Sequence, residues 1–172
     1  TLLPDPQARF APMACTAWRN PRLVMTETPT PTPGTHDVVI DVKVCGICGS
    51  DTHCIETDPD GYVIFSGPAA FPCALGHEFA GRVLEVGAEV RRVQVGDLVT
   101  AEGMLYCGEC AACTRGHVNQ CRQLKMMGFS HPGAFSERVV LHEKHCWSIN
   151  GLAETLGDAT QACELASLVE PV

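Results

Sequence analysis

The sequence predicts a mainly β fold with a few helices, a barrel or sandwich rather than a parallel sheet. Three observations predict it. Residues 38–45 alternate side chains with the period of a strand, Val38, Ile40, Val42 and Val44 against Val39, Asp41, Lys43 and Cys45. Further apolar runs of strand length recur with glycines between them. Helical periodicity is confined to one stretch near the end, residues 152–170.

The elements follow in order. Residues 26–37 are a Pro/Thr linker that cannot be helical. The strand over 38–45 runs into Cys45-Gly-Ile-Cys-Gly, where two glycines break it. A turn-like, poorly patterned stretch comes next, carrying Asp58-Pro-Asp-Gly61 and Gly67-Pro68. Strands are predicted at Phe79–Val86, Leu98–Ala101 and Ala134–Leu141, punctuated by Gly81, Gly87, Gly96 and Gly103. In the helical stretch Leu156, Cys163 and Glu170 share a face, and Pro171 disfavours helical geometry at Glu170.

Composition narrows the function. Hydrophobic residues are 45% of the chain, enough for the core of one domain, and the formal charge is −8. No Lys/Arg run offers a phosphate-tracking surface, so nucleic acid is not an expected partner. No segment reaches the roughly 18 apolar residues of a membrane helix, and Thr-Leu-Leu-Pro-Asp-Pro is not built like a signal peptide. The expectation is a soluble, cytoplasmic protein. Its eleven cysteines are an odd count, which points to metal ligation or buried thiols rather than disulfides.

Four of them form Cys107-x2-Cys110-x2-Cys113-x7-Cys121. Two-residue gaps let neighbouring thiolates turn back onto one ion, Gly108 eases the turn, and the longer gap lets the fourth close the shell. Such a closed four-thiolate zinc contributes folding energy rather than chemistry. A bacterial ferredoxin cluster would space its ligands C-x2-C-x2-C-x3-C-P, and no proline follows Cys121.

A second candidate gathers Cys45-Gly-Ile-Cys48-Gly-Ser50-Asp51-Thr-His53 and Gly76-His77-Glu78. A catalytic zinc takes about three protein ligands and keeps one position open. Cys48, His77 and Glu78 fit that need, although adjacent residues seldom serve one ion with equal ease, so Glu170 is another candidate carboxylate. On spacing alone Cys45 could replace Cys48, and His53 could replace His77. The bland reading is a buried thiol and packed or surface histidines.

Four ordered motifs resemble one family. Gly46-Ile-Cys48-Gly-Ser50-Asp51-x-His53, Gly76-His77-Glu78-x-x-Gly81-x-Val83, Val95-Gly96-Asp97-x-Val99 and the four-cysteine lobe look like the catalytic domain of zinc-dependent medium-chain alcohol and polyol dehydrogenases. The resemblance implies a GroES-like, partly open β-barrel over residues 1–172, with a zinc lobe projecting at 103–125. It implies two zinc ions. Cys107, Cys110, Cys113 and Cys121 would hold the structural one. Cys48 and His77 would hold the catalytic one, with Glu78 as third or exchangeable ligand and Glu170-Pro171 resembling the Glu-Pro beside that zinc in polyol enzymes. Asp51 would orient His77, and Ser50 would pass the substrate proton towards His53. Gly96-Asp97 would be a structural turn, and Glu164 would lie on a solvated helix face. Gly128-Phe129, Ala134-Phe135-Ser136-Glu137 and Trp147-Ser148 look closest to dehydrogenases of inososes or amino-inositols.

The implied reaction oxidises a secondary alcohol of a small polyol or cyclitol by hydride transfer to NAD or NADP. Polar residues between Thr57 and Pro72 would line the pocket mouth, and the full-length enzyme would be a homodimer or homotetramer. The sequence departs from the family in one respect: no G-x-G-x-x-G joins a strand to a helix, so the nucleotide-binding domain is absent from this chain. The alternative is a non-catalytic zinc module kept for folding or partner binding.

Overall fold

A computed structural model describes residues 2–3, 18–65 and 69–167 of the chain. Glu170, the other candidate carboxylate for the catalytic zinc beside Glu78, lies outside the described residues, as does Cys15. Nine strands and three α-helices are present among the described residues. They are β1 (Leu2–Leu3), β2 (Arg22–Leu23), β3 (Asp37–Gly46), α1 (Gly49–His53), β4 (Glu78–Val86), β5 (Leu98–Ala101), β6 (Met104–Leu105), β7 (Lys125–Met126), β8 (Arg138–His142), β9 (Cys146–Ser148), α2 (Asn150–Leu156) and α3 (Ala159–Ser167).

The main sheet is antiparallel, in the order β8-β3-β4-β5-β9. Its edge strands β8 and β9 are joined by only Glu143–His145, a single 3-10 turn. In a flat sheet, strands four places apart would stand about 19 Å from each other. Four Cα steps reach about 15 Å at most. The sheet therefore curls into a partly open barrel. Two register shifts in β3, between Val39 and Ile40 and between Val42 and Val44, add to the bend.

Inside the curl lies a core of Val38, Ile40, Phe79, Val83, Val99 and Leu141 with their neighbours. Val39 is buried as well, so the start of β3 is covered on both faces. Further along, Val42 and Cys45 pack against the barrel core while Val44 packs against the α3 cluster, so the predicted in–out alternation breaks at the Val42–Val44 register shift. A second cluster, Cys54, Phe71, Cys73, Leu75 and Phe129, sits beneath the loops after α1. The third packs Cys163 and Ala166 of α3 against Ala80 and Leu98 of the sheet.

The linker at 26–34 has neither helix nor strand, and β5 matches its predicted bounds. Three expectations are corrected. Residues 134–137 are not strand, because the N–H groups of Gly133, Ala134 and Phe135 bond to the carbonyls of Ala74, Gly76 and Leu75 instead. The stretch read as one helix over 152–170 is, among its described residues, two helices broken where Gly157 takes a left-handed turn, and this separates Leu156 from Cys163. The short helix α1, within the stretch read as turn-like, was not foreseen. Glu164 is exposed as expected. Gly96 adopts a positive φ, with Asp97 accepting the Gln94 N–H at 2.9 Å, so that segment is a turn.

Candidate metal centres

The four cysteines sit in a lobe whose stem is the β6–β7 pair, Met104 opposite Met126 and Leu105 opposite Lys125. Two 3-10 turns, Cys113–Arg115 and Val118–Gln120, fill the space between them. Sulfur atoms of Cys107 and Cys121 stand 3.5 Å apart, those of Cys110 and Cys113 3.5 Å, and those of Cys107 and Cys113 3.9 Å. A tetrahedron with Zn–S bonds near 2.3 Å has sulfur–sulfur edges of about 3.8 Å, so this shell fits zinc. The N–H groups of Cys107 and Gln123 point at Cys121 Sγ, and that of Cys110 at Cys107 Sγ. Backbone donation, chiefly beside Cys113, draws the Cys110 thiol down to about 6, while burial pushes Cys113 up to about 12. Lys144 Nζ donates to the Cys107 carbonyl at 2.6 Å and so ties the lobe to the barrel.

The second centre arises where β3 ends. Gly46 is paired with Glu78 across the β3–β4 ladder. A Cβ at Gly46 would come within 2.9 Å of Glu78 Oε2, so the glycine permits the close approach of that carboxylate. Two residues on, Cys48 caps α1. His77 precedes Glu78 at the start of β4. One ligand atom each from Cys48, His77 and Glu78 falls within 4.8 Å of the others, and all three side chains are half-buried. Neither Cys45 nor His53 joins them. Burial pushes the Cys45 thiol up to about 12, and His53 is exposed, its Nδ1 2.8 Å from Glu56 Oε2.

Asp51 braces this arrangement from below. It is buried, with Oδ2 accepting the Cys48 N–H at 3.0 Å and Oδ1 accepting the Gly76 N–H at 3.2 Å. One carboxylate thus fixes the backbone at both ligand segments. Its Oδ1 also stands 3.6 Å from His77 Nδ1, which is buried and makes no hydrogen bond. That carboxylate, helped by Cys48 and opposed by burial, raises the imidazole to about 9. Ser50 Oγ lies 3.3 Å from His77 Nε2. Ser50 and His53 are three residues apart on α1 and so share a helix face.

Gly76 has φ of +91°, and a Cβ there would meet the Phe135 ring at 2.6 Å and Cys45 Sγ at 2.9 Å. The segment leading into His77 is thereby pressed between two others. An aromatic wall stands beside it: Phe65 stacks on Phe129 with centroids 4.7 Å apart, and Phe129 meets the His77 ring at 5.3 Å. Sequence reasoning missed this wall and expected polar residues from 57–72. Of these, Asp58 instead accepts the Asp60 and Tyr62 N–H groups within its own turn. The signal available was the apolar run Tyr62-Val63-Ile64-Phe65 within that stretch.

Residues 34–151 match the family described as Alcohol dehydrogenase GroES-like domain. The chain is 38% identical over 174 residues to scyllo-inosose 3-dehydrogenase of Thermotoga maritima, covering 97% of this chain and 44% of that protein. A Thermotoga maritima structure assigned as an alcohol dehydrogenase superposes with a TM-score of 0.84 at 36% identity, over 97% of this chain and 46% of that one. A cobalt- and zinc-bound thermostable alcohol dehydrogenase from Pyrobaculum aerophilum superposes at 0.62 with 30% identity, over 73% and 37%. The chain therefore spans less than half the length of these relatives. With a curled antiparallel barrel, a cysteine lobe on its rim and a family match over most of its length, the chain belongs to the alcohol dehydrogenase GroES-like domain family.

Proposed function

We propose that this chain is the substrate- and metal-binding part of a zinc-dependent dehydrogenase that oxidises a secondary alcohol of a polyol or cyclitol to a ketone, with NAD(P)+ as hydride acceptor. The observation that carries the reading is the convergence of Cys48, His77 and Glu78 on one half-buried spot with the Ser50 hydroxyl beside it. One thiolate, one imidazole and one carboxylate leave a tetrahedral position open, as a catalytic rather than a structural zinc requires. A zinc ion held there supplies Lewis acidity towards a hydroxyl oxygen.

The chain's own residues supply the rest. Ser50 stands where it can take the substrate hydroxyl proton and hand it along α1 to His53. Glu56, on His53 Nδ1, leaves the other ring nitrogen facing outward as a base. Asp51 holds the ligand segments in place, and Phe65 and Phe129 keep water from one side of the site. The lobe zinc, on Cys107, Cys110, Cys113 and Cys121, is structural. Hydride transfer belongs to the nicotinamide, for whose pyrophosphate this sequence offers no G-x-G-x-x-G. The inosose-acting relative favours a cyclitol as substrate.

The test uses the full-length enzyme with cyclitols, linear polyols and simple alcohols, each with NAD and NADP, alongside elemental analysis. Two zinc ions per chain and cyclitol-dependent NAD(P)H formation are expected. Ser50→Ala should keep both zinc ions and lose about 10²-fold or more in kcat. One zinc per chain, retained in Cys48→Ala and lost in Cys110→Ala, would instead establish a non-catalytic zinc module.

A further inference from the structure

A cavity of about 260 Å³ opens between the four-cysteine lobe and strand β8, lined by none of Cys48, His77 and Glu78. Tyr106, Gln123 and Lys125 face it from the lobe; His142 and Lys144 face it from the barrel, with His131 beside them. In a chain of net charge −8, these two lysines concentrate positive charge at one place. Lys144 gives one N–H to the Cys107 carbonyl, and an ammonium has two more. Lys125 has no carboxylate partner among the described residues. His142 Nδ1 accepts the Lys144 N–H, which leaves the proton of the neutral ring on Nε2 as a donor. The single carboxylate in the wall, Asp37, accepts the Gly34 N–H through Oδ2.

The wall's own charges conflict. Burial first, and then Lys125, lowers the pKa of His131; burial and then Lys144 lowers that of His142. Asp37 opposes both shifts and Glu143 opposes that of His142, so a single wall carboxylate stands against the two lysines. Among the described residues no ligand atoms of this wall converge on an ion apart from Cys107, which belongs to the lobe shell, so the chemistry favours an anion over a cation.

We propose that this cleft binds a small phosphate-type oxyanion, free or as a monoester, clamped between the lobe and β8. Ammonium and imidazole donors arriving from several sides suit a tetrahedral oxyanion better than a planar carboxylate. Because the donors come from both lobe and barrel, the bound anion also holds the lobe in place, so occupancy and zinc retention reinforce each other.

The experiment titrates the zinc-loaded, ¹⁵N-labelled chain with inorganic phosphate and, separately, glycerol 3-phosphate, with ionic strength held constant by chloride. Saturable shifts at the Tyr106, Lys125 and Lys144 amides are expected, together with slower loss of lobe zinc to a chelator. Lys125→Gln should weaken binding about tenfold, the loss of one charge-assisted hydrogen bond. Lys43→Gln, whose lysine pairs with Asp41 away from the cleft, should leave it unchanged. Saturation by inorganic phosphate identifies the free anion as sufficient; saturation by the monoester alone shows that the organic part is also read. If neither ligand saturates, or Lys43→Gln weakens binding as much as Lys125→Gln, the site does not exist.

Discussion

Asp51 shows how one buried side chain can hold two chain segments in place. Its two oxygens each take an N–H, one in each of the two candidate ligand segments, and the carboxylate faces His77. Asp51→Asn preserves the shape but turns an NH2 group towards one of those N–H donors. We expect a loss of about 1–3 kcal/mol in denaturant-measured stability. Zinc retention at Cys48 should weaken about 10–100-fold in chelator competition, while the cysteine lobe keeps its metal. An unchanged competition curve would remove Asp51 from any role in ordering His77. Gly76→Ala should be harsher, since it meets both an unfavourable φ and the Phe135 ring. The expected result is loss of the Cys48-site metal together with a lowered Tm.

At the scale of elements, the lobe and the barrel are held by different forces. Only Leu105 and Cys121 of residues 104–126 are buried hydrophobics, so the lobe lacks a core of its own. Cys110→Ala should therefore unfold 106–122, with rapid amide exchange there, while β3 and β4 stay protected; protection spread evenly over both would contradict this. The elements also show what a reader of sequence can see. β3 and β5 were legible because apolar residues and glycine boundaries mark them. The later start of the strand predicted from Ala134 was not, because the N–H groups of residues 133–135 are taken by residues 74–76, some sixty positions away. Five-residue α1 is shorter than any periodicity can reveal. The cysteine quartet was legible from spacing. Spacing alone left Cys45 open beside Cys48 and His53 open beside His77. The family resemblance chose Cys48 and His77, and the pairing of Gly46 with Glu78 is what brings those two together with Glu78.

For the whole molecule, pH should act through His145. It is 2% exposed, and burial first, with Lys144 and His142 nearby, lowers it to about 4. The unfolded chain keeps an ordinary histidine near 6.5 and so takes up the proton first as pH falls. Stability is fully present above that value and declines as pH drops towards 4. Across this window the loss is about 3 kcal/mol, and His145→Gln should flatten it in denaturant titrations of the zinc-saturated chain. A slope equal to that of the unsubstituted chain would assign the acid sensitivity elsewhere. This chain assayed alone with NAD(P)+ and polyols should show no measurable turnover, because no G-x-G-x-x-G in this sequence offers the hydride acceptor a pyrophosphate cradle. Finally, the register that sets Gly46 against Glu78 has a consequence for recombination. Glu78 lies in β4, and Cys48 and His77 lie within two residues of the paired ends of β3 and β4, so their relative positions follow the strand register rather than the length of the loop between them. Chimeras that take residues 37–53 from one homologue and 76–86 from another should keep the metal site through any loop length, provided the two strands are exchanged in register.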